Sequence, residues 1–222
     1  MANLTIEWYG LGAVKITAKQ TVGEVSVLTD PFGAHEGVKM PRAVTADIVI
    51  FSDAAEAKEC SERVAGSPFV ISHPGEYESK GVFVYGFDCG GLTSASEKNK
   101  NSGRATIYRI ELDDFTLVFL GGARQALTDQ DYDRFSEADI LFLPVGDKSL
   151  ALSAKEAVEV MNRIEPRVVV PIMYKIPGLA KDLDPVDKFV KESGVAPEKV
   201  EKLKLAKKDL PEEETKLYIL SA

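Results

Sequence analysis

The sequence predicts an α+β chain in which two β-sheets are flanked by helices, and three observations lead there. Short apolar, β-branched segments recur along the whole chain, turn residues separate them, and helical segments fall between strands in both halves. The first thirty residues read as three strands, Leu4 to Trp8, Ala13 to Ala18 and Glu24 to Thr29. Glycines at 10, 12 and 23 punctuate them, as expected of hairpins in an antiparallel sheet. Asp47 to Phe51 is a short apolar strand, and Asp53 to Val64, rich in Ala, Glu and Lys, has helical composition, so the two form a strand-to-helix junction. Phe69 to Ser72 and Gly81 to Phe87 are strands on either side of a turn at His73-Pro74-Gly75-Glu76-Tyr77-Glu78. Gly90 to Gly103 is polar and is expected to be a mobile loop.

The second half repeats this vocabulary. Strands are expected at Ala105 to Leu112, Thr116 to Leu120, Ile140 to Pro144, Arg167 to Pro171 and Lys216 to Leu220. A helix starts near Thr128, and a second runs from Ser153 to Ile164, with Ser153 and Glu156 in capping-box spacing. A third covers Val186 to Glu192, with Gly194 placed to end it. No internal repeat aligns and no Ser- or Pro-rich linker interrupts the chain, so residues 1–222 are expected to form a single domain.

Composition narrows the function classes. The 222 residues are 45% hydrophobic, enough for a sizeable core. The only two cysteines, Cys60 and Cys89, are too few for a disulfide framework and lack C-x-x-C spacing, which points to free thiols in a reducing compartment. The segment Met1-Ala2-Asn3-Leu4-Thr5 has neither a basic region nor an apolar run, and no stretch approaches a membrane span, so a cytoplasmic location is expected, with no membrane association. A net charge of −8 disfavours binding to nucleic acid. The basic run Lys199 to Lys208 alternates charged and apolar residues and reads as a solvated strand face. His35 and His73 are the only histidines and belong to no metal-ligand cluster, so a histidine-rich two-metal hydrolytic site is excluded.

Seven segments taken together carry a resemblance. They are Ile6-Glu7-Trp8-Tyr9-Gly10, Thr29-Asp30-Pro31-Phe32, Ala46-Asp47-Ile48-Val49-Ile50, Pro74-Gly75-Glu76-Tyr77-Glu78, Phe119-Leu120-Gly121, Leu143-Pro144-Val145-Gly146, and Ile164-Glu165-Pro166 through Pro171 to Tyr174-Lys175. In this order, from residue 4 to about residue 220, the chain resembles the metallo-β-lactamase-fold superfamily, in particular its bacterial branch of zinc-dependent hydrolases of the β-lactamase fold. The resemblance implies a four-layer αβ/βα sandwich, with two mixed sheets face to face, helices outside and a metal site on the loops at one edge. It also implies an H-x-H-x-D-H run after the strand Asp47 to Phe51, where a tight turn would aim several ligands at two cations. Here those positions are occupied by Asp53, Ala55, Ala57 and Lys58. The later ligands are missing too: Asp88-Cys89-Gly90-Gly91 lacks a histidine, Gly122 stands for the bridging aspartate, Met173 for a histidine, and Leu11 for the histidine of the first turn. Alanine has no lone pair to offer, and lysine puts a positive charge where a cation would sit.

The resemblance therefore predicts a hydrolase fold whose metal ligands are lost, with no metal or other cofactor, acting as a non-catalytic binding or partner protein. The alternative is a hydrolase of this fold with a non-standard site, for which His73, Asp53 and Lys58 are the catalytic candidates. The expected cleft holds Asp30, Asp53, His73, Glu76, Tyr77, Met173 and Tyr174, and Lys175 matches a further position of the family pattern. With no ligands to orient, Asp30 is expected to cap its turn or accept hydrogen bonds from the Ser52-Asp53 backbone. An oxygen-rich Mg or Mn site would need Asp53, Glu56 and Asp88 together. His35 reads as a solvated side chain, and Cys89 lacks a neighbouring base to make it a nucleophile. An architectural role in a homo-oligomer, or with a protein partner, is the third reading.

Overall fold

The computed structural model describes residues 4–20, 23–89, 105–125, 127–148 and 150–222. The expected loop at 90–103 therefore lies outside the described residues. The first sheet is built by β1 (Leu4–Trp8), β2 (Val14–Gln20), β3 (Gly23–Thr29), β4 (Ile48–Ile50) and β5 (Phe69–Ile71). The second begins with β6 (Gly75–Ser79), β7 (Val82–Cys89), β8 (Ala105–Leu112), β9 (Phe115–Phe119), β10 (Ile140–Pro144) and β11 (Val168–Ile172). Near the end of the chain, β12 (Pro197–Val200) and β14 (Lys216–Leu220) join the second sheet, while β13 (Leu203–Leu205) returns to the first. The strand orders are β13-β1-β2-β3-β4-β5 and β12-β14-β11-β10-β9-β8-β7-β6. Both sheets are mixed: β1, β2 and β3 pair antiparallel, whereas β3-β4-β5 and β9-β10-β11 run parallel.

Burial explains why the strands read as they do. In β3 and β4, Val27, Ile48 and Ile50 point into the core shared by the two sheets, while Leu28, Val49 and Phe51 pack on the opposite face against Ala57, Cys60 and Val64. Ala57 and Cys60 belong to α1 (Ala54–Cys60), so both faces of this part of the sheet are covered. That double burial makes the parallel segments near-continuous apolar runs, and in β10 all five residues are buried.

The remaining helices, α2 (Asp129–Phe135), α3 (Ala154–Ile164) and α4 (Val186–Ser193), accompany the second sheet. Ala157, Val160, Met161 and Ile164 form the buried stripe of α3 at helical spacing. Its capping box is present: the Ser153 hydroxyl accepts from the Glu156 N–H, and the Glu156 carboxylate accepts from the Ser153 N–H at 2.9 Å. Gly194 ends α4 in the left-handed region. The result is an α+β sandwich with two mixed sheets face to face.

One segment differs from expectation, and the basic run near the end of the chain keeps its expected solvated strand face. The expected turn at 73–78 is mostly strand: β6 (Gly75–Ser79) pairs antiparallel with β7 (Val82–Cys89), Tyr77 opposite Val84, because this edge strand and its neighbour need only the short Lys80-Gly81 turn between them. The basic run 199–208 is divided between β12, β13 and a 3-10 turn. Leu203 and Leu205 are buried, while Lys202 and Lys207 pair with Glu7 and Asp139 at 2.8 and 2.6 Å. These lysines serve the fold. No described helix is long and apolar enough to cross a membrane.

Candidate functional site

Parallel strands end together, and their carboxyl ends carry loops that bring distant residues to one place. Asp30 follows β3, Ser52 and Asp53 follow β4, Gly121 and Gly122 follow β9, and Met173 follows β11. These residues line a cavity of about 60 Å³ together with Leu11, Gly12, Phe32, Glu36, Glu56, Ala105, Arg124, Leu150 and Lys181. Leu11, Asp30 and Met173 all have positive φ, at 50°, 35° and 54°. Non-glycine residues rarely adopt this region, so these three turns at the cavity carry local backbone strain.

Asp30 is the centre of the polar wall. Its Oδ1 accepts from the Ser52 N–H at 2.6 Å and its Oδ2 from the Ser52 hydroxyl at 2.7 Å, the role expected from sequence. A Cβ at Gly121 would lie 2.7 Å from Asp30 Oδ2, so the protein closes tightly around the carboxyl. Desolvation, reinforced by the charge of Glu56, pushes the Asp30 pKa up to about 7 against the lowering effect of the Ser52 bonds. The Glu56 pKa is also raised, first by desolvation, with Lys181 and Arg124 opposing the rise. Glu56 is exposed along much of its side chain but turns its charge toward the cavity. Glu36 is 6% exposed, and its Oε1 lies 2.9 Å from Lys181 Nζ and 3.2 Å from His35 Nε2.

This edge-loop cavity between two mixed sheets can be set beside known proteins. A family pattern described as a beta-lactamase superfamily domain matches residues 5–173. The chain belongs to the β-lactamase superfamily. A UPF0173 metal-dependent hydrolase of Exiguobacterium sp. is 25% identical over 198 residues, covering 77% of this chain and 86% of the relative. A Thermotoga maritima structure, assigned to the Zn-dependent hydrolases of the metallo-β-lactamase superfamily, superposes with a TM-score of 0.77 at 26% identity, covering 98% of this chain and 100% of that one. The metallo-β-lactamase-fold protein YhfI of Bacillus subtilis matches with a TM-score of 0.58 at 12% identity, covering 97% and 96% of the two chains, which is a likeness of fold.

The superfamily's expected ligand positions have varied fates in the structure. Asp53 lines the cavity, and its Oδ1 accepts from the Ala55 N–H at 2.8 Å, at the start of α1. Ala55 and Lys58 are exposed, and Ala57 is packed with Leu28, Val49 and Phe51 beneath the helix. Gly122 and Met173 line the cavity, the Met173 N–H donating to the Leu11 carbonyl at 3.1 Å. Among the described residues, no group of three or more His, Cys, Asp or Glu side chains converges so that it could hold a metal ion. Asp88, on β7, does not line the cavity beside Asp53 and Glu56, so the carboxylate trio considered for Mg or Mn is not assembled there.

Of the residues expected in the cleft from sequence, Asp30, Asp53 and Met173 line it, whereas His73, Glu76, Tyr77 and Tyr174 do not. The His73 Nδ1 lies 3.0 Å from the Ser72 hydroxyl, and the His73 carbonyl accepts from the Tyr77 hydroxyl at 3.0 Å, so this cluster braces the β6 turn. Tyr174 is buried against Trp8, with ring centroids 4.6 Å apart, and its hydroxyl donates to the Leu220 carbonyl. Lys175 donates to the carbonyls of Leu179 and Lys181, both at 2.8 Å. The Cys89 thiol is buried, and desolvation pushes its pKa up to about 11, which keeps it protonated. His35 is largely exposed, as expected, although it reaches Glu36. Sequence reasoning missed Glu36, Arg124 and Lys181. No local pattern marks them, since each comes from a different loop.

Proposed function

We propose that this chain is a β-lactamase-superfamily member in which protein groups have replaced the metal centre, and that it acts by binding a ligand or partner rather than by hydrolysis. The observation that carries the reading is the packing at Gly122, which stands where the family pattern places a metal-bridging aspartate. A Cβ there would lie 2.6 Å from the Ala105 Cβ and 2.9 Å from the Ser52 Cβ, so this wall has no room for a ligand side chain. The donor chemistry supports the same conclusion. Zinc is held by imidazole, thiolate and carboxylate groups in combination, whereas this cavity is lined by carboxylates, a hydroxyl, a thioether and two cationic side chains. These residues do not fit a two-zinc centre.

Metal analysis of the purified chain, expressed with zinc, manganese and iron in the medium and dialysed without chelator, tests the reading. Substoichiometric metal is expected, with no turnover of phosphodiester, lactone or thioester substrates. A stoichiometric metal that supports turnover would overturn the reading. The names of the relatives as metal-dependent hydrolases favour a rival, a hydrolase with a non-standard site. Metal-independent turnover abolished by Asp30→Asn would establish that rival.

A further inference from the structure

We propose that a second groove, walled by Phe32, Met40 and Val44 and rimmed by Lys39, Arg42 and Arg63, binds a small soluble phosphate monoester, with the anionic head against the three cations and the apolar body against the wall. The proposal goes beyond the metal-free reading of the edge-loop cavity and does not rest on it. The groove has a volume of about 310 Å³, within the range of small-molecule sites.

Charge is the first observation. The lining of the groove holds three cations and no carboxylate, in a chain whose net charge is −8. Lys80, Arg109, Arg134, Arg163, Lys188 and Lys202 each pair with a carboxylate, whereas among the described residues Lys39, Arg42 and Arg63 have no such partner. Like charges gathered without a counter-charge repel one another, and a bound anion relieves that repulsion. A phosphate monoester carries close to two negative charges at pH 7 on three acceptor oxygens, and the planar fork of arginine matches it. The second observation is that the backbone holds the cations together. Thr45 and Ala65 form an isolated parallel bridge, and the Ala65 N–H donates to the Val44 carbonyl at 2.8 Å, which clamps the segment after Arg42 to the segment after Arg63. Ala43, at a φ of 53°, turns the chain between Arg42 and this clamp. Gly33 leaves space for Arg63 from the other side: a Cβ there would lie 3.4 Å from Arg63 Nη2 and 2.6 Å from His35 Nδ1. The apolar wall is fixed as well. Phe32 and Val44 are buried, and Met40 packs against both of their clusters while its sulfur accepts from the Phe32 N–H at 3.3 Å. Phe32 also lines the edge-loop cavity, so the two sites share one wall.

Isothermal titration with phenyl phosphate, inorganic phosphate and phenol tests this on the wild type, Arg42→Gln, Arg63→Gln and, as a control for net charge, Lys188→Gln on α4. Phenyl phosphate should bind the wild type with a Kd of about 1 mM or tighter, inorganic phosphate about tenfold more weakly, and phenol not measurably. Each arginine variant should lose about tenfold in affinity for phenyl phosphate, and K188Q less than about twofold. No binding of phenyl phosphate, unchanged binding in R42Q and R63Q, or equal affinity for inorganic phosphate would overturn the proposal. Flotation with phosphatidylcholine vesicles containing phosphatidate separates a lipid headgroup from a soluble ligand. The chain should stay unbound, and flotation would overturn the proposal in favour of a lipid surface.

A second measurement needs no variant. Saturating phenyl phosphate should slow phenylglyoxal modification of Arg42 and Arg63 in the native wild type by about threefold or more, and leave Arg124, which lines the edge-loop cavity, unaffected. Protection of Arg124 in their place would put the anion in the edge-loop cavity, and that result, or protection of none of the three, would overturn the proposal even if the variants failed to fold.

Discussion

Replacing Asp30 by asparagine should change stability in a way that depends on pH, and the dependence follows from how the carboxyl is held. The folded pKa is raised from 3.8 to about 7, chiefly by desolvation. Because the folded value lies above the unfolded one, the folded chain keeps a proton that the unfolded chain has released. The resulting stability is fully present below about pH 4, is lost as the pH rises toward about 7, and changes no further above that. Asparagine cannot ionise and so escapes this loss. Its amide retains an acceptor for the Ser52 N–H, and the Ser52 hydroxyl can turn to accept from the amide nitrogen.

A shift of about 3 units corresponds to about 4 kcal/mol. Between pH 5 and pH 8, about two of those units lie inside the window, giving a ceiling of about 2.7 kcal/mol. Asp30 as a residue is half-buried, and solvent screening at its open side discounts that ceiling, so about 1.5 kcal/mol is expected. Urea unfolding of the wild type and D30N at both pH values measures it: the difference between the two proteins should move in favour of asparagine by about this amount on going from pH 5 to pH 8. A difference independent of pH would refute the reasoning. A move in the opposite direction would mean that the ionised carboxylate is compensated in the native state, as a bound cation would do.

Two further outcomes follow from packing and capping. Gly122→Asp, which restores the aspartate of the family pattern, should destabilise the protein by about 1–3 kcal/mol in urea unfolding and bring no metal uptake, because its Cβ overlaps Ala105 and Ser52. Ser153→Ala removes the acceptor for the Glu156 N–H at the start of α3 and should cost about 1 kcal/mol, read as a lower urea midpoint with an unchanged m-value.

Much of the fold was legible locally. The apolar runs of β4, β10 and β11, the capping box of α3 and Gly194 after α4 are short-range signals, because burial on both faces, hydrogen bonding across three residues and a left-handed C-cap each act within a few residues of chain. The turn expected at 73–78 misled because Pro74-Gly75 is a strong turn signal, whereas the strand that follows is stabilised by pairing with β7, a tertiary contact.

The candidate site divides in the same way. The sequence by itself determined which donors the chain possesses, two histidines and no ligand run after β4, and that Asp30 would bond to the start of the next loop. Only the tertiary structure decided that His73 and Tyr174 stay out of the cavity and that Glu36 and Lys181, separated by 145 positions in the chain (181 − 36), meet across it. The physical reason is that a donor's identity is a property of one residue, whereas burial, desolvation and charge pairing belong to the space enclosed by the loops at the carboxyl ends of the two sheets. Here the folding of those loops sets an ammonium group among the carboxylates.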